Sequence, residues 1–180
     1  MRINQYVAIL DTCVLAPMPV ADTLMRLADE PAFYTPRWSP DIFKELETTL
    51  HKFGYPPDKI AHRLETMQLA FPDAMVHGYE DLIEAMKNQH KDRHVLAAGV
   101  KSGANCIVSN NKKHFEEIHL APYNIDCLTA DEFLQHQYHL DEDLFIGVLK
   151  QQASDIGWTL PQLLSKHVLS LATLIVIKDQ

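Results

Sequence analysis

Short apolar runs alternate with amphipathic stretches along this chain. Residues 6–10, 106–109 and 125–128 are largely apolar or β-branched, with few polar residues inside them. Continuous runs of this kind predict strands that are buried on both faces of a sheet. Residues 74–76 form a shorter run with the same character and are a further strand candidate.

The stretches between these runs have apolar residues at helical spacing. Ser39 followed by Pro40 is typical of a helix start, because serine caps free N–H groups and proline fits the first helical position. Gly54 and Gly103 fit helix ends. The predicted helices span residues 21–29, 40–53, 57–69, 80–87 and 91–102, with one more beginning at 130 and two after 141. Residues 171–177 fit either a helix or a strand.

The alternation of strands and helices predicts an α/β fold with a central parallel sheet covered by helices on both faces. The chain contains no internal repeat or flexible linker. Its one shift in composition is the acidic cluster Asp141, Glu142 and Asp143. We therefore predict one domain over residues 1–138 and a C-terminal helical extension over residues 139–180.

Composition adds little to this picture of a globular protein. The 180 residues are 47% hydrophobic and 22% charged, which is ordinary for such proteins. No apolar stretch approaches the roughly 20 residues that span a bilayer. The first apolar run has four residues, too few for the core of a signal peptide. A cytoplasmic location is the expectation that follows.

Cysteine content argues against a zinc-binding or disulfide-rich protein, and the net charge restricts how a nuclease could bind its substrate. Cys13, Cys106 and Cys127 are far apart and form no C-x-x-C pair, so neither a zinc knuckle nor a disulfide framework is indicated. The formal net charge is −8. Because nucleic acid binds largely through neutralisation of its phosphates, any nuclease function has to depend on local basic residues.

Three carboxylates fall where the predicted topology could bring them together. Asp11 follows the first strand, Asp92 lies in the first turn of the helix before the second strand, and Glu45 lies one turn into another helix. Ligands of open parallel sheets bind at the carboxyl ends of the strands. Oxygen ligands of this kind suit Mg²⁺ or Mn²⁺, which activates water and stabilises charge on a phosphodiester.

Each of these carboxylates also has an ordinary structural explanation. An aspartate after a strand is often a turn residue, and one in a first helical turn favours the helix dipole. Asp41 shares a helix face with Glu45, and we interpret it as a partner of the helix N-terminus. His94 would point about 160° away from Asp92 on a helix, so we expect it to pack or to form a hydrogen bond rather than bind metal.

Four stretches resemble the PIN-domain family related to VapC-type toxins. They are AILDTCVL at residues 8–15, PRWS at residues 36–39, DRHVLAA at residues 92–98 and CIVSNN at residues 106–111. The resemblance covers about residues 5–137. It implies a PIN-like three-layer fold, with a central parallel sheet between helices.

The resemblance also implies a set of site residues. The family's acidic positions fall on Asp11, Glu45 and Asp92, which are the expected ligands of Mg²⁺ or Mn²⁺. Asn111 occupies the fourth catalytic position, where it would orient a ligand or substrate. The expected substrate contacts are Ser109, Lys112, Lys113 and Arg37, although the lysines are equally consistent with an ordinary surface.

Two departures from the family pattern stand beside these matches. His90 and Lys91 precede Asp92 where the family usually has acids, and Lys44 precedes Glu45 where an acid is often found. Because Asn111 carries no charge, the set would bind one metal ion adequately and a second one weakly.

The function implied by the resemblance is a metal-dependent endoribonuclease, the toxin of a toxin–antitoxin pair. Its partners would be RNA and a small antitoxin protein, and a homodimer remains open. Two alternatives stand beside it. One is a PIN-like binding module without catalysis. The other is a phosphatase of the haloacid-dehalogenase type, in which Asp11 would be the nucleophile and Cys13 would occupy the position of the general acid.

Overall fold

The computed structural model describes residues 6–29, 32–167 and 175. Its centre is a four-stranded sheet of order β2-β1-β3-β4, in which every neighbouring pair is parallel. The strands are β1 (Val7–Leu10), β2 (Thr35–Arg37), β3 (Cys106–Val108) and β4 (Asp126–Leu128). Helices flank this sheet, so the predicted α/β class with a central parallel sheet is confirmed.

The two central strands are the most apolar parts of the chain. Ile9 pairs with Ile107 across the β1–β3 ladder, and both are fully buried. Their continuous apolar runs identify them in the sequence because a strand covered on both faces needs no alternating pattern. Both predicted strands are confirmed, as is the third, which the structure shortens to Asp126–Leu128.

Strand β2 has no comparable signal in the sequence. It contains only three residues, and its middle residue is Pro36, which has no N–H to donate. The strand is tolerated because it lies at the edge of the sheet and pairs with β1 alone. The candidate strand at residues 74–76 is wrong: it forms an isolated bridge between Met75 and Trp38.

The helices agree with the predicted pattern over most of the chain. Their bounds are α1 (Thr12–Leu15), α2 (Val20–Ala28), α3 (Pro40–Lys52), α4 (Pro57–Ala70), α5 (Arg93–Ser102), α6 (Glu117–Leu120), α7 (Ala130–Leu140), α8 (Glu142–Asp155) and α9 (Leu160–Leu164). Ser39 caps α3, since its hydroxyl accepts a hydrogen bond of 3.2 Å from the N–H of Ile42. Gly103 ends α5 with φ of 64°, a conformation that favours glycine.

Two predicted helical segments are corrected to tighter 3₁₀ turns. Residues 80–87 contain a 3₁₀ helix over Glu80–Ala85, and His90–Asp92 forms another one directly before α5. Asp92 is therefore the N-cap residue of α5 and not a member of its first turn. This difference changes the direction in which its side chain can point.

The C-terminal helices pack onto the same core as the sheet. Phe145 of α8 is fully buried, and its ring meets Phe33 at 6.3 Å and Tyr138 at 5.7 Å, both edge-on. The predicted boundary between residues 138 and 139 falls inside α7, and the division into a domain and an extension stays a prediction. Of residues 171–177, only Ile175 lies within the described part.

No helix among the described residues is long and apolar enough to cross a membrane.

A buried polar cluster joins α2 to the C-terminal helices. The hydroxyl of Thr23 donates to Gln152 Oε1 at 2.6 Å and lies 2.8 Å from His167 Nε2. Gln152 in turn donates to the carbonyl of Pro19 at 3.1 Å. Burial lowers the pKa of His167 to about 4, and the more distant charge of Asp131 only partly opposes this effect.

This cluster predicts acid sensitivity. Since His167 is neutral in the folded protein but protonates near pH 6.5 when unfolded, its stabilisation is complete above pH 6.5 and lost as the pH falls towards 4. The loss should amount to about 2–4 kcal/mol. Urea unfolding between pH 7 and pH 4 should show a shallower dependence for His167→Gln than for wild type. The exposed His136→Gln serves as the control, and equal slopes for all three proteins would contradict the prediction.

Candidate active site

Asp11, Glu45, Asp92 and Asn111 all line one open cleft of about 840 Å³. They come from four separate places in the chain: the residue after β1, helix α3, the turn before α5 and the loop after β3. Because the ends of parallel strands meet at one edge of the sheet, this topology brings Asp11 and Asn111 together. The predicted convergence of the four side chains on one cleft is therefore present in the structure.

Asp11 is held by a network of hydrogen bonds behind the cleft. The hydroxyl of Ser109 donates to Asp11 Oδ2 at 2.6 Å, and the thiol of Cys13 donates to the same oxygen at 3.1 Å. The N–H of Asp11 donates to the carbonyl of Val108 at 3.1 Å and so extends the β1–β3 ladder. With Oδ2 fixed in this way, Oδ1 is the oxygen available to the cleft.

The Cys13 thiol is a hydrogen-bonding group rather than an acid. Burial raises its pKa to about 12, and the neighbouring charge of Asp11 adds to that effect. Its sulfur also accepts from the N–H of Asn110 at 3.2 Å. A general acid has to release its proton near neutral pH, so this group does not fit the acid of a dehalogenase-type phosphatase.

Glu45 is half exposed, and each of its two carboxylate oxygens has a polar neighbour. The hydroxyl of Thr12 approaches Glu45 Oε2 at 3.2 Å, and His94 Nε2 lies 3.2 Å from Oε1. Burial lowers the pKa of His94, but the hydrogen bond and the negative charge of Glu45 outweigh it, so that the net shift is upward. The expectation that His94 forms a hydrogen bond is thereby confirmed.

The angle predicted between His94 and Asp92 assumed that both lie in one α-helix, whereas Asp92 lies in the 3₁₀ turn before α5. Both side chains line the same cleft. The sequence pattern did not reveal that His94 would contact a carboxylate of the site, since Glu45 lies 49 positions away.

Asp92 is buried, and one of its carboxylate oxygens lacks a hydrogen bond. Its Oδ2 lies 3.0 Å from His114 Nδ1, but neither atom has a partner in hydrogen-bond geometry among the described residues. Burial raises the pKa of Asp92. Lys91 opposes this shift, whereas the negative charges of Asp11 and Glu45 reinforce it. The three carboxylates therefore repel one another across the cleft.

The donor chemistry of the cleft fits a divalent cation. Four carboxylates line it, because Asp41 joins the three predicted ligands. Asp92 contributes a buried oxygen without a hydrogen-bond partner, which is a costly arrangement for an anion. A bound cation would satisfy that oxygen and cancel the repulsion. Among residues 6–29 and 32–167, no group of three His, Cys, Asp or Glu side chains lies close enough together to hold a metal ion without some movement of the side chains.

The predicted substrate contacts lie outside the walls of this cleft. Ser109 is fully buried behind Asp11, and Lys112 pairs with Glu132 at 2.9 Å. Lys113 and Arg37 are also absent from the cleft lining. Their role in substrate binding stays a prediction.

Other lysines do line the cleft, and the sequence reasoning did not select them as substrate contacts. Lys44, Thr48 and Lys52 follow one another at four-residue intervals along the face of α3 that borders the cleft, and Lys91 also lines it. The available signal was the mutual spacing of Lys44, Thr48 and Lys52, because residues four apart share a helix face.

Comparison with known proteins gives one informative match. Over 76 residues the chain is 51% identical to a Mycobacterium tuberculosis protein named "Putative ribonuclease VapC50". The aligned part is 42% of this chain and 45% of that protein, so less than half of the relative is covered. No family model and no solved structure matches the chain. The likeness to VapC-type PIN-domain proteins that the sequence motifs indicated is therefore confirmed, and the parallel α/β sheet has the PIN-like arrangement that this likeness implies.

Proposed function

We propose that this protein is a metal-dependent endoribonuclease and the toxin of a toxin–antitoxin pair. The observation that carries the proposal is the meeting of Asp11, Glu45 and Asp92 in one cleft at the carboxyl edge of the sheet. The ribonuclease name of the VapC-type relative supports the same chemistry.

In this proposal Asp11, Glu45 and Asp92 hold Mg²⁺ or Mn²⁺. The cation supplies charge stabilisation for a phosphodiester undergoing hydrolysis and lowers the pKa of water. The neighbouring side chains act by positioning. Ser109 and Cys13 fix one oxygen of Asp11, whereas Thr12 and His94 fix the two oxygens of Glu45.

The remaining polar groups of the cleft would contact RNA. The Asn111 side chain offers an amide beside the carboxylates, and the backbone N–H of Asn111 donates to Ser109 Oγ at 3.2 Å. Lys44, Lys52 and Lys91 can neutralise phosphates on either side of the cleavage point. These local charges offset the overall negative charge that would otherwise repel RNA.

The resemblance to VapC-type toxins implies an antitoxin partner, and the charge of the cleft indicates how such a partner would bind. Three mutually repelling carboxylates favour a protein that inserts an arginine or lysine among them. Such an inhibitor would compete with the metal ion for the same oxygens. A cytoplasmic site of action stays an expectation from the apolar runs of the sequence, and a homodimer stays open.

The proposal is tested first by metal binding. A hundredfold excess of Mg²⁺ or Mn²⁺ over its dissociation constant adds about 2.7 kcal/mol of stability, which corresponds to a rise of roughly 5–10 °C in Tm. Asp92→Asn should reduce that rise, because it removes a ligand charge. It should also raise the Tm in chelator, because repulsion within the empty cleft falls.

The matched control is Asp73→Asn, which changes an exposed aspartate of the turn after α4. It should leave both melting temperatures as in wild type. Metal that stabilises wild type and Asp92→Asn equally would place the ion elsewhere. Metal binding without any RNA cleavage would favour the non-catalytic binding module.

A further inference from the structure

A second cavity of about 600 Å³ lies beside the acidic cleft, on the other side of helix α3. Its walls come from α3, from α4 and from the segment around the Trp38–Met75 bridge. Lys44 belongs to the walls of both cavities. The two are therefore neighbours that share one positively charged residue.

The inner wall of this second cavity is aromatic. Trp38 and Phe43 are stacked with ring centroids 5.5 Å apart and an angle of 27° between their planes. Phe71 meets Trp38 edge-on at 5.8 Å and is partly exposed to solvent. Trp38 is 0% exposed and Phe43 is 7% exposed, so Phe71 is the ring on which a nucleobase can stack.

Polar groups surround the aromatic wall. Trp38 Nε1 is buried and has no hydrogen-bond partner in the part of the chain that the structure describes, so it is a donor that lacks an acceptor. Gln68 and His77 are exposed residues of the cavity wall with further hydrogen-bonding atoms.

The order of residues along α3 connects this cavity to the site of chemistry. Lys44 borders both cavities, and the next residue, Glu45, is one of the carboxylates of the cleft. A polynucleotide that crosses α3 at Lys44 has a phosphate beside the lysine. On one side of that phosphate lies the acidic cleft, and on the other lies the aromatic cavity.

We propose that this aromatic cavity binds a single nucleobase of the RNA substrate, next to the bond that is cleaved. Resting on the proposed ribonuclease function, this inference makes the residues around Trp38, Phe71 and Gln68 determinants of which base is accepted. Lys44 holds the phosphate that joins this base to the reacting nucleotide. Only a single-stranded or unstacked base can enter, so double-stranded RNA is a poor ligand.

The test narrows the cavity with a large side chain at an exposed position of its wall. Gln68→Trp places a large side chain in the cavity wall, whereas Leu69→Trp makes the matching substitution at the next residue of α4, which is 75% exposed and outside the cavity. Both are made in an Asp11→Asn background so that RNA stays intact. Fluorescence anisotropy then reports the affinity for a labelled single-stranded oligoribonucleotide in Mg²⁺.

Gln68→Trp should weaken binding about tenfold, the effect of losing one stacked base, and Leu69→Trp should bind as the background does. An oligoribonucleotide with one abasic position should also bind the Asp11→Asn protein about tenfold more weakly, but only when the missing base is the one that would enter the cavity. Equal affinities for both tryptophan variants would overturn the base pocket while leaving the ribonuclease proposal intact.

Two other results would be decisive in different ways. If Gln68→Trp keeps its RNA affinity but loses a co-expressed partner protein, the cavity is a protein-docking site and the base pocket is wrong. If the background protein and wild type both fail to bind single-stranded RNA, the proposed function fails, and the base pocket fails with it. Melting curves of both variants establish that each is folded.

Discussion

Asp11→Asn is expected to reduce the rate of RNA cleavage by about 10²–10³-fold, the scale on which removing one charge-stabilising group acts in enzymes. The substitution keeps the shape of the side chain but removes a charge from the proposed metal ligands. It also replaces an acceptor of the Ser109 and Cys13 hydrogen bonds with an amide. The measurement is cleavage of a fluorescent single-stranded RNA in Mg²⁺ and in Mn²⁺.

The same variant should show whether slow growth results from the catalytic activity or only from the production of the protein. Induction of wild type is expected to slow growth, and Asp11→Asn should restore it at an equal level of protein. Asp73→Asn, with its exposed turn aspartate, is the control and should remain toxic. If wild type and Asp11→Asn arrest growth equally, the catalytic-toxin proposal cannot stand.

Phe145→Ala is expected to lower the free energy of unfolding by about 3–5 kcal/mol, the usual effect of truncating a buried phenylalanine. Phe145 is fully buried and lies edge-on to Phe33 and Tyr138, so alanine would leave a cavity between α8 and the core. Urea unfolding followed by circular dichroism measures this change.

Leu144→Ala provides the comparison in the same helix. Leu144 is 42% exposed, and its truncation should change the unfolding free energy by less than about 1 kcal/mol. A single cooperative transition that shifts with Phe145→Ala would show that α8 unfolds together with the sheet. Two separate transitions in wild type, with only the weaker one affected, would support the predicted division near residue 138 and contradict this expectation.

The central part of the fold was accessible to sequence reasoning because its signals are local. β1 and β3 are continuous apolar runs, and the Ser39–Pro40 pair and Gly103 identify ends of α3 and α5 through their backbone chemistry. The carboxylates could be placed near one sheet edge because the ends of parallel strands determine where following residues lie.

Other features depended on contacts between distant parts of the chain. β2 has no periodic signal, and it is a strand only because β1 offers an unpaired edge. Residues 74–76 have the composition of a strand but find only Trp38 as a partner. Pattern alone cannot show whether a short extended segment has a neighbour, since pairing is a long-range property.

The surroundings of the carboxylates show the same division. The sequence by itself determined, through the order of its elements and its family resemblance, that Asp11, Glu45, Asp92 and Asn111 would belong to one site. Only the tertiary structure decided what touches them, namely the Cys13 thiol on Asp11 and His94 on Glu45, and that lysines of α3 line the same cleft. The reason is physical, since element order fixes where the backbone passes, whereas hydrogen bonds of about 3 Å depend on how separate helices and strands pack against one another.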